Sequence, residues 1–253
     1  MLQELLPAQI FAILLVFVRL GTTMLLMPGI GDPYVPPRTR LILALLIALV
    51  IAPILGNTLP AMPESAADLV VLIVGEFLIG AFFGTITRLY ISALTTAGMI
   101  IAFMSSMANA LTPDPSAAQQ GSIAGSFLVV AAVLTIFTLD LHHAMLAAVI
   151  DSYQLFVPGQ VPPVADFADM ISRVVAQTFL LSFQISAPFI AVGLIFFLGL
   201  GLLGRLMPQM QVFFVAMPLQ IAAGLVVLVL VLPAILRWFV GAFQDSLLPF
   251  VAL

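Results

Sequence analysis

The sequence predicts an all-α integral membrane protein built from about six hydrophobic helical segments. Of its 253 residues, 63% are hydrophobic and 7% are charged, and the mean hydropathy is +1.29. A typical soluble domain is about 45–50% apolar and about 25% charged. The apolar stretches contain Gly and Pro without an alternation of period two, which favours helices over a transmembrane β-barrel. The main solvent of this chain is therefore lipid or other apolar helices.

Six apolar stretches, separated by polar or Pro-rich breaks, define the segments. They are residues 8–27, 41–59, 69–90, 123–150, 174–203 and 212–239. About 20 helical residues cross a hydrocarbon core of about 30 Å, and the first three stretches fit that length. The last three are longer or are interrupted by Asp140, Pro188, Pro218 and Pro233, which predicts kinked, tilted or hairpin-like segments. We expect one membrane-embedded domain over residues 1–253, because no part has the composition of a soluble domain.

The inventory of charged and reactive residues excludes several classes of function. Seven scattered Arg and no Lys, against 11 Asp and Glu, cannot form a phosphate-tracking surface, so we expect no nucleic acid partner. The absence of Cys excludes disulfides, thiolate nucleophiles and thiolate metal sites. The sequence also lacks the G-x-S-x-G, P-loop, H-E-x-x-H and dinucleotide fingerprints. We therefore expect no catalytic residues and no cofactor.

His142 and His143, the two His of the chain, follow Asp140 and invite a metal hypothesis. Adjacent side chains on a helix point about 100° apart, so the two imidazoles should not converge on one ion. No third ligand lies at a useful spacing. We expect no metal site here and interpret Asp140 as a polar helix break.

Two ionisable residues, Arg19 and Glu76, lie inside apolar stretches, where a charge is costly unless it is paired or faces a cavity. If their helices run in the same direction, the two depths differ by about 6 Å at 1.5 Å per residue. They therefore pair with each other or with a neighbouring subunit, or they line a polar pathway. Gly80 and Gly84 share the helix face of Glu76 and form a G-x-x-x-G pair, which predicts close helix packing.

One stretch is specific enough to indicate a family. Residues 204–215 read GRLMPQMQVFFV, and its most characteristic members are Arg205, Pro208, Gln209 and Phe213. The stretch resembles the FliR family, the membrane component of the flagellar type III export gate, whose injectisome counterparts are similar. Residues 75–80 and 98–121 resemble, in the same order, the G-E-x-x-x-G helix and the central loop of that family. The resemblance spans nearly the whole chain.

The resemblance implies a structural subunit of the flagellar protein export gate, located in the bacterial inner membrane at the flagellar basal body. Members of the family assemble with FliP-like and FliQ-like membrane subunits, and we also expect an FlhB-like subunit. The resulting hetero-oligomeric helical stack encloses a channel for unfolded exported proteins and is surrounded by lipid. Hydrophobic hairpins pack on sister subunits, so not every segment crosses the bilayer.

The resemblance further implies that residues 104–122 form a plug in this channel. The residues of that plug are Met104, Met107, Asn109, Gln119 and Gln120. Methionine side chains are flexible gap-fillers, and the amides can satisfy backbone groups where Pro113 and Pro115 break the helix. The alternative is a polar loop exposed to water on one side of the membrane.

Other functions remain as alternatives to flagellar export. The nearest is the equivalent subunit of a virulence-type injectisome. A small-solute secondary transporter should show internal repeats and convergent ionisable groups near the bilayer midplane, whereas this sequence has two isolated charges and no repeat. An intramembrane enzyme would need a nucleophile with its base, and the sequence offers no such pair.

Overall fold

The structure is a computed structural model that describes residues 2–56, 58–107, 122–207 and 212–250, with backbone alone for residues 2–8 and 212–215. Every regular element in these ranges is helical, which confirms the all-α prediction. The helices are α1 (Leu2–Leu26), α2 (Pro37–Ile51), α3 (Ala66–Met104), α4 (Ile123–Thr138), α5 (Leu141–Leu155), α6 (Val164–Leu206) and α7 (Val212–Leu247), followed by a 3-10 turn at Leu248–Phe250.

The prediction of a membrane protein is also confirmed. Among the described residues, four helical stretches are long and apolar enough to cross a bilayer: Gln9–Leu26 in α1, the whole of α3 and α6, and Ala216–Phe250 at the end of the chain. The pair α4 and α5 adds a fifth candidate if it is one broken span.

Helix α2 is shorter than the sequence stretch predicted. The second apolar stretch continues to residue 59, but α2 spans 15 residues and ends at Ile51. Pro53 has no N–H to donate to the preceding turn of helix, so the chain leaves the helix and closes turns through Ile51 O and Pro53 O. At 1.5 Å per residue α2 is about 22 Å long, which is less than the hydrocarbon thickness of about 30 Å.

Helices α3 and α6 are longer than a bilayer requires. The third apolar stretch was expected to end near residue 90, yet α3 has 39 residues and continues to Met104, because no Pro occurs between Pro63 and Pro113. Helix α6 has 43 residues and passes through Pro188 without ending. Their lengths are about 58 Å and about 64 Å, roughly twice the thickness of the hydrocarbon core.

The fourth apolar stretch is broken where the sequence predicted it. Helix α4 ends at Thr138 and α5 begins at Leu141. Asp140 between them has a φ of 57°, in the left-handed region that Asp tolerates better than most residues.

The chain divides into two compact units. The long helices α3, α6 and α7 each contribute residues to both units.

The first compact unit comprises residues 1–89, 137–175 and 243–253. Helix α1 packs against α2 and α5, and α5 also contacts the 3-10 turn. An aromatic cluster joins α3 to the start of α6, where the rings of Phe82 and Phe167 stack with centroids 4.1 Å apart. Phe250 of the 3-10 turn closes this cluster edge-on, 4.9 Å from Phe83.

The second compact unit comprises residues 90–136 and 176–242. Here α3 and α6 are linked by polar side chains: Tyr90 Oη donates to Gln177 Oε1 at 3.0 Å, and Ser182 Oγ donates to Ala93 O at 2.9 Å. Helix α4 approaches α3 so closely at Gly98 that a Cβ there would overlap the backbone of Gly125. Glycine at position 98 is therefore required by packing.

The close approach at Gly98 generates a prediction about stability. Gly98→Ala should destabilise the assembled protein by ~1–3 kcal/mol, because α4 must shift away from α3 to accommodate the methyl group. The measurement is the thermal midpoint of the purified complex. Gly201→Ala on α6 is the matched control, since nothing lies within 4 Å of a Cβ added there. Equal midpoints for the two variants would contradict the packing argument.

Candidate functional site

A buried ion pair connects α1 to α3 in the first unit. The guanidinium of Arg19 forms a fork with the carboxylate of Glu76, in which Nε donates to Oε2 at 2.6 Å and Nη2 donates to Oε1 at 2.9 Å. Arg19 is 0% exposed and Glu76 is 1% exposed. Of the alternatives open from the sequence, the structure shows the pairing of these two residues with each other. Two-point geometry of this kind is the strongest arrangement available to an Arg–carboxylate pair.

Two of the three remaining N–H donors of Arg19 bind groups at the end of α5. Nη1 donates to Ser152 Oγ at 3.0 Å, and Nη2 donates to the carbonyl oxygen of Phe156, also at 3.0 Å. The aromatic ring of Tyr153 lies under the guanidinium, with its centroid 3.8 Å from Cζ. A cation over an aromatic face is stabilised by the ring quadrupole, and more strongly where water is excluded. One arginine thus joins three helices.

Glycines bring α1 and α3 close enough for the ion pair to form. A Cβ at Gly80 would overlap the carbonyl oxygen of Arg19, and a Cβ at Gly84 would lie 2.6 Å from Cβ of Leu26. The hydroxyl of Thr23 donates to the carbonyl oxygen of Gly80 at 3.0 Å across the same contact. The G-x-x-x-G face therefore packs on α1, one turn from the Glu76 carboxylate.

The second unit holds the described part of the segment for which the sequence predicted a plug. Met104 is the last residue of α3, and Met107 follows three residues later; both are half-buried. A Cβ at Gly193 of α6 would lie 3.2 Å from Met104, and one at Gly224 of α7 would lie 3.6 Å from Cε of Met107. Asn109, Gln119 and Gln120 lie outside the described residues.

The family stretch begins at the end of α6. Arg205 is exposed in the last turn of that helix, where a cation favourably opposes the negative end of the helix dipole. Pro208 and Gln209 lie outside the described residues. Phe213 is in the first turn of α7, where the structure describes the backbone alone.

The expected divergence of the two imidazoles was wrong. The ring centroids of His142 and His143 are 4.0 Å apart, and His142 also stacks on Phe137. Ligand atoms of Asp140, His142 and His143 lie within 4.8 Å of one another. Asp140 and His143 are largely exposed and form a surface pair, with Nδ1 3.6 Å from Oδ1.

The sequence did not point to several residues that complete these sites. Ser152, Tyr153 and Phe156 surround Arg19, although they are more than 130 positions away in the chain. In the second unit, Ser106 and Gln220 contact each other. An isolated Gln within the apolar α7 was the available signal for Gln220, since an amide in such a helix needs a partner.

The fold and these sites define a helical integral membrane protein in which the two charged residues described as buried, Arg19 and Glu76, neutralise each other. Residues 10–246 match the family of bacterial export proteins, family 1, and the chain belongs to this family. It is 38% identical to the flagellar biosynthetic protein FliR of Caulobacter vibrioides. The aligned 239 residues cover 94% of this chain and 95% of that protein. The corresponding protein of Bacillus subtilis is 31% identical, covering 88% of this chain and 87% of the relative.

A relative from another secretion system is more distant. The Yop proteins translocation protein T of Yersinia pestis is 27% identical over 186 residues, covering 73% of this chain and 71% of that protein. These findings confirm the resemblance found in the sequence. The chain is a structural component of the flagellar type III export gate, part of the export apparatus in the inner membrane at the flagellar basal body.

The ion pair leads to a double-mutant prediction. Arg19→Ala and Glu76→Ala should each cost about 3–5 kcal/mol, because each strands the opposite charge in an apolar interior. The double variant should be milder than the sum of the two. The measurement is the amount and thermal midpoint of the assembled complex for all three variants.

The matched control for this cycle is the exposed pair Arg173 and Asp169, whose atoms Nη2 and Oδ2 are 3.4 Å apart and whose side chains are each 77% exposed. Alanine at either or both positions should change stability by less than about 1 kcal/mol. Strictly additive losses at Arg19 and Glu76 would show that the two charges do not depend on each other.

Proposed function

We propose that residues 1–253 act as one membrane-embedded unit and form part of the wall of a gated, protein-conducting channel. The partners are FliP-like, FliQ-like and FlhB-like membrane subunits, and the cargo is unfolded flagellar protein. The chain catalyses no reaction; it supplies a shaped conduit, while energy and cargo recognition come from partners. Residues 104–122 close the resting channel as a plug.

The length of the helices supports the proposal of membrane partners. An apolar helix twice as long as the hydrocarbon core needs protein around the part that lipid does not reach. Exposed apolar side chains occur along both halves of α3 and along α6, among them Val71, Phe77, Phe103, Ile195, Leu198 and Leu202. These side chains are suited to packing against the apolar helices of neighbouring subunits.

The plug proposal depends on one observation, which is the excess length of the connection between α3 and α4. Helix α4 packs directly on the last turns of α3, so a turn of a few residues could join them. Instead, α3 ends at residue 104 and α4 begins at residue 123. Helix connections are commonly about 2–8 residues, and loops longer than about 12–15 residues usually have a function of their own or are disordered.

The alternatives are less well supported. A transporter needs unpaired or coordinating groups at its substrate site, whereas Arg19 and Glu76, the two charged residues among those described as buried, neutralise each other. The injectisome alternative is the less well supported of the two, since the Yersinia relative is 27% identical over 73% of this chain, against 38% over 94% for the flagellar relative of Caulobacter vibrioides. Restoration of swimming in a bacterium that lacks its flagellar member of the family would favour the flagellar role.

The proposed partners lead to a prediction about the isolated chain. Expressed without FliP-like and FliQ-like subunits, it should aggregate or be degraded, and co-expression should yield a defined complex in mild detergent. The measurement is size-exclusion chromatography followed by native mass spectrometry. A monodisperse, well-folded monomer without copurifying membrane proteins would count decisively against the proposal.

The plug itself is tested by shortening the segment. Deletion of residues 108–119 should leave the complex assembled but make the membrane permeable to ions or small solutes, because nothing then fills the closed channel. The measurements are ion conductance across the membrane and the yield of copurified partners, with Gly201→Ala as the reference variant. Baseline conductance together with unchanged export would show that the segment is only a connector.

A further inference from the structure

A groove of about 490 Å³ opens on the surface of the first unit between α1, α2 and α3. This volume is within the range of about 300–1,000 Å³ that is usual for small-molecule sites. The polar residues in its lining are Thr22 and Arg40. The hydroxyl of Thr22 donates to the carbonyl oxygen of Val18 in its own helix at 2.6 Å, so the groove wall is apolar there as well. The apolar walls include Phe17, Gly21 and Leu25 of α1, Leu41 of α2 and Phe77 of α3.

The arginine end of the groove lies at one face of the membrane. Arg88 of α3 and Asp32 form an ion pair at 3.5 Å, which brings the turn that leads into α2 beside that part of α3. The stretch of α3 from Asp68 to Arg88 rises about 30 Å at 1.5 Å per residue, the thickness of the hydrocarbon core. Arginine is enriched on the cytoplasmic side of membrane proteins, which indicates that the end with Arg38, Arg40 and Arg88 faces the cytoplasm.

The side chain of Arg40 is fixed at this end, but its charge is not neutralised. Nε and Nη2 donate to the carbonyl oxygen of Val35 at 3.1 Å and 2.9 Å, and Nη1 donates to that of Gly31 at 3.1 Å. These neutral acceptors hold the guanidinium without cancelling its charge, and two of its five N–H donors have no partner among the described residues. Arg38 is exposed on the same turn, and the first turn of α2 has no acidic side chain.

We propose that this groove binds one anionic phospholipid, with its phosphate on Arg40 and one acyl chain along α1 toward the middle of the bilayer. Two oxygens of one phosphate can accept two N–H bonds from a guanidinium, and such charge-assisted bonds are stronger than neutral ones. From Leu25, beside the cation, to Phe17 the groove follows α1 for about 12 Å. Arginines next to a membrane attract anionic headgroups of the cytoplasmic leaflet. The proposal does not depend on the plug or on the channel.

A helix of a neighbouring subunit is the alternative occupant of an apolar groove. Such a helix brings apolar side chains to the walls, but it neutralises Arg40 only if it also carries an acidic residue at that depth. An anionic phospholipid carries the acyl chain and the phosphate in one molecule, in the order in which the groove offers its apolar walls and its cation. Charge complementarity therefore favours the lipid.

The test is native mass spectrometry of the complex that this chain forms when it is isolated from the membrane. Phosphatidylglycerol is the anionic probe, and phosphatidylcholine is the zwitterionic one. Arg40→Gln removes the cation, and Arg205→Gln, which removes an exposed cation at the end of α6, is its matched control.

A second pair of variants tests the apolar part of the groove without changing any charge. Gly21→Leu fills the groove, and a Cβ at Gly21 would meet the ring of Phe17 at 3.7 Å, which is an ordinary contact. Gly241→Leu on α7 is its matched control, because nothing lies within 4 Å of a Cβ added there. Both changes replace a helical glycine by the same residue, so their effects on helix propensity are equal.

The parent complex should retain one phosphatidylglycerol per copy of this chain in preference to phosphatidylcholine. Arg40→Gln should weaken the retention of phosphatidylglycerol about tenfold and abolish the preference, because the charge-assisted bonds to the phosphate are lost. Gly21→Leu should weaken the retention of both lipids, because the acyl chain can no longer enter. Both control variants should retain lipid as the parent does. If Arg40→Gln does not assemble, Gly21→Leu, which leaves the turn before α2 intact, decides the question.

Two results would overturn the proposal. Equal retention of phosphatidylglycerol in Arg40→Gln and Arg205→Gln would show that the groove does not recognise a headgroup through Arg40. Loss of a copurifying subunit from Gly21→Leu, with lipid retention unchanged, would show that a helix of that subunit fills the groove. Neither result bears on export itself, because the measurement is of bound lipid and not of channel activity.

Discussion

The buried fork between Arg19 and Glu76 is the interaction on which the first unit depends. In lipid, helices gain little from contacting one another through apolar side chains, because the surrounding acyl chains are equally apolar. The register of one helix against the next must then be set by close packing and by polar groups that have hydrogen-bonding partners in only one arrangement of the helices. Arg19 sets α1 against Glu76 of α3 and against Ser152 of α5 at once. Any slip of one helix by a turn would strand a charge.

The second unit is organised by neutral polar contacts instead. Hydroxyl and amide groups of Ser182, Tyr90 and Gln220 link its helices, and no buried charge occurs among its described residues. A neutral hydrogen bond can open and re-form at modest cost, whereas opening a buried ion pair exposes two unsolvated charges. The contacts that hold the second unit together are therefore less costly to open than the ion pair of the first unit.

The sequence predicts the fold well at positions where one charged residue restricts which local structures or partners are possible. Two charges at similar depth in an apolar chain had to pair with each other, pair with a neighbouring subunit or line a polar pathway, and Asp140 indicated a break in its helix. Ser152 and Phe156 could not be foreseen as partners of Arg19, because their proximity depends on how α5 returns to α1. The two imidazoles were misjudged because helix geometry fixes the Cα–Cβ direction and leaves the later torsions free.

The excess length of α3 and α6 affects how long an unassembled copy of the protein persists in the cell. A newly inserted copy presents about half of an apolar helix of about 58 Å to the aqueous phase or to bilayer that it distorts. Surfaces of that kind attract chaperones and proteases, and in the proposed assembly they are covered by neighbouring subunits. We therefore expect the supply of those subunits to limit how many copies survive, so that the chain does not accumulate beyond the number of export machines being built.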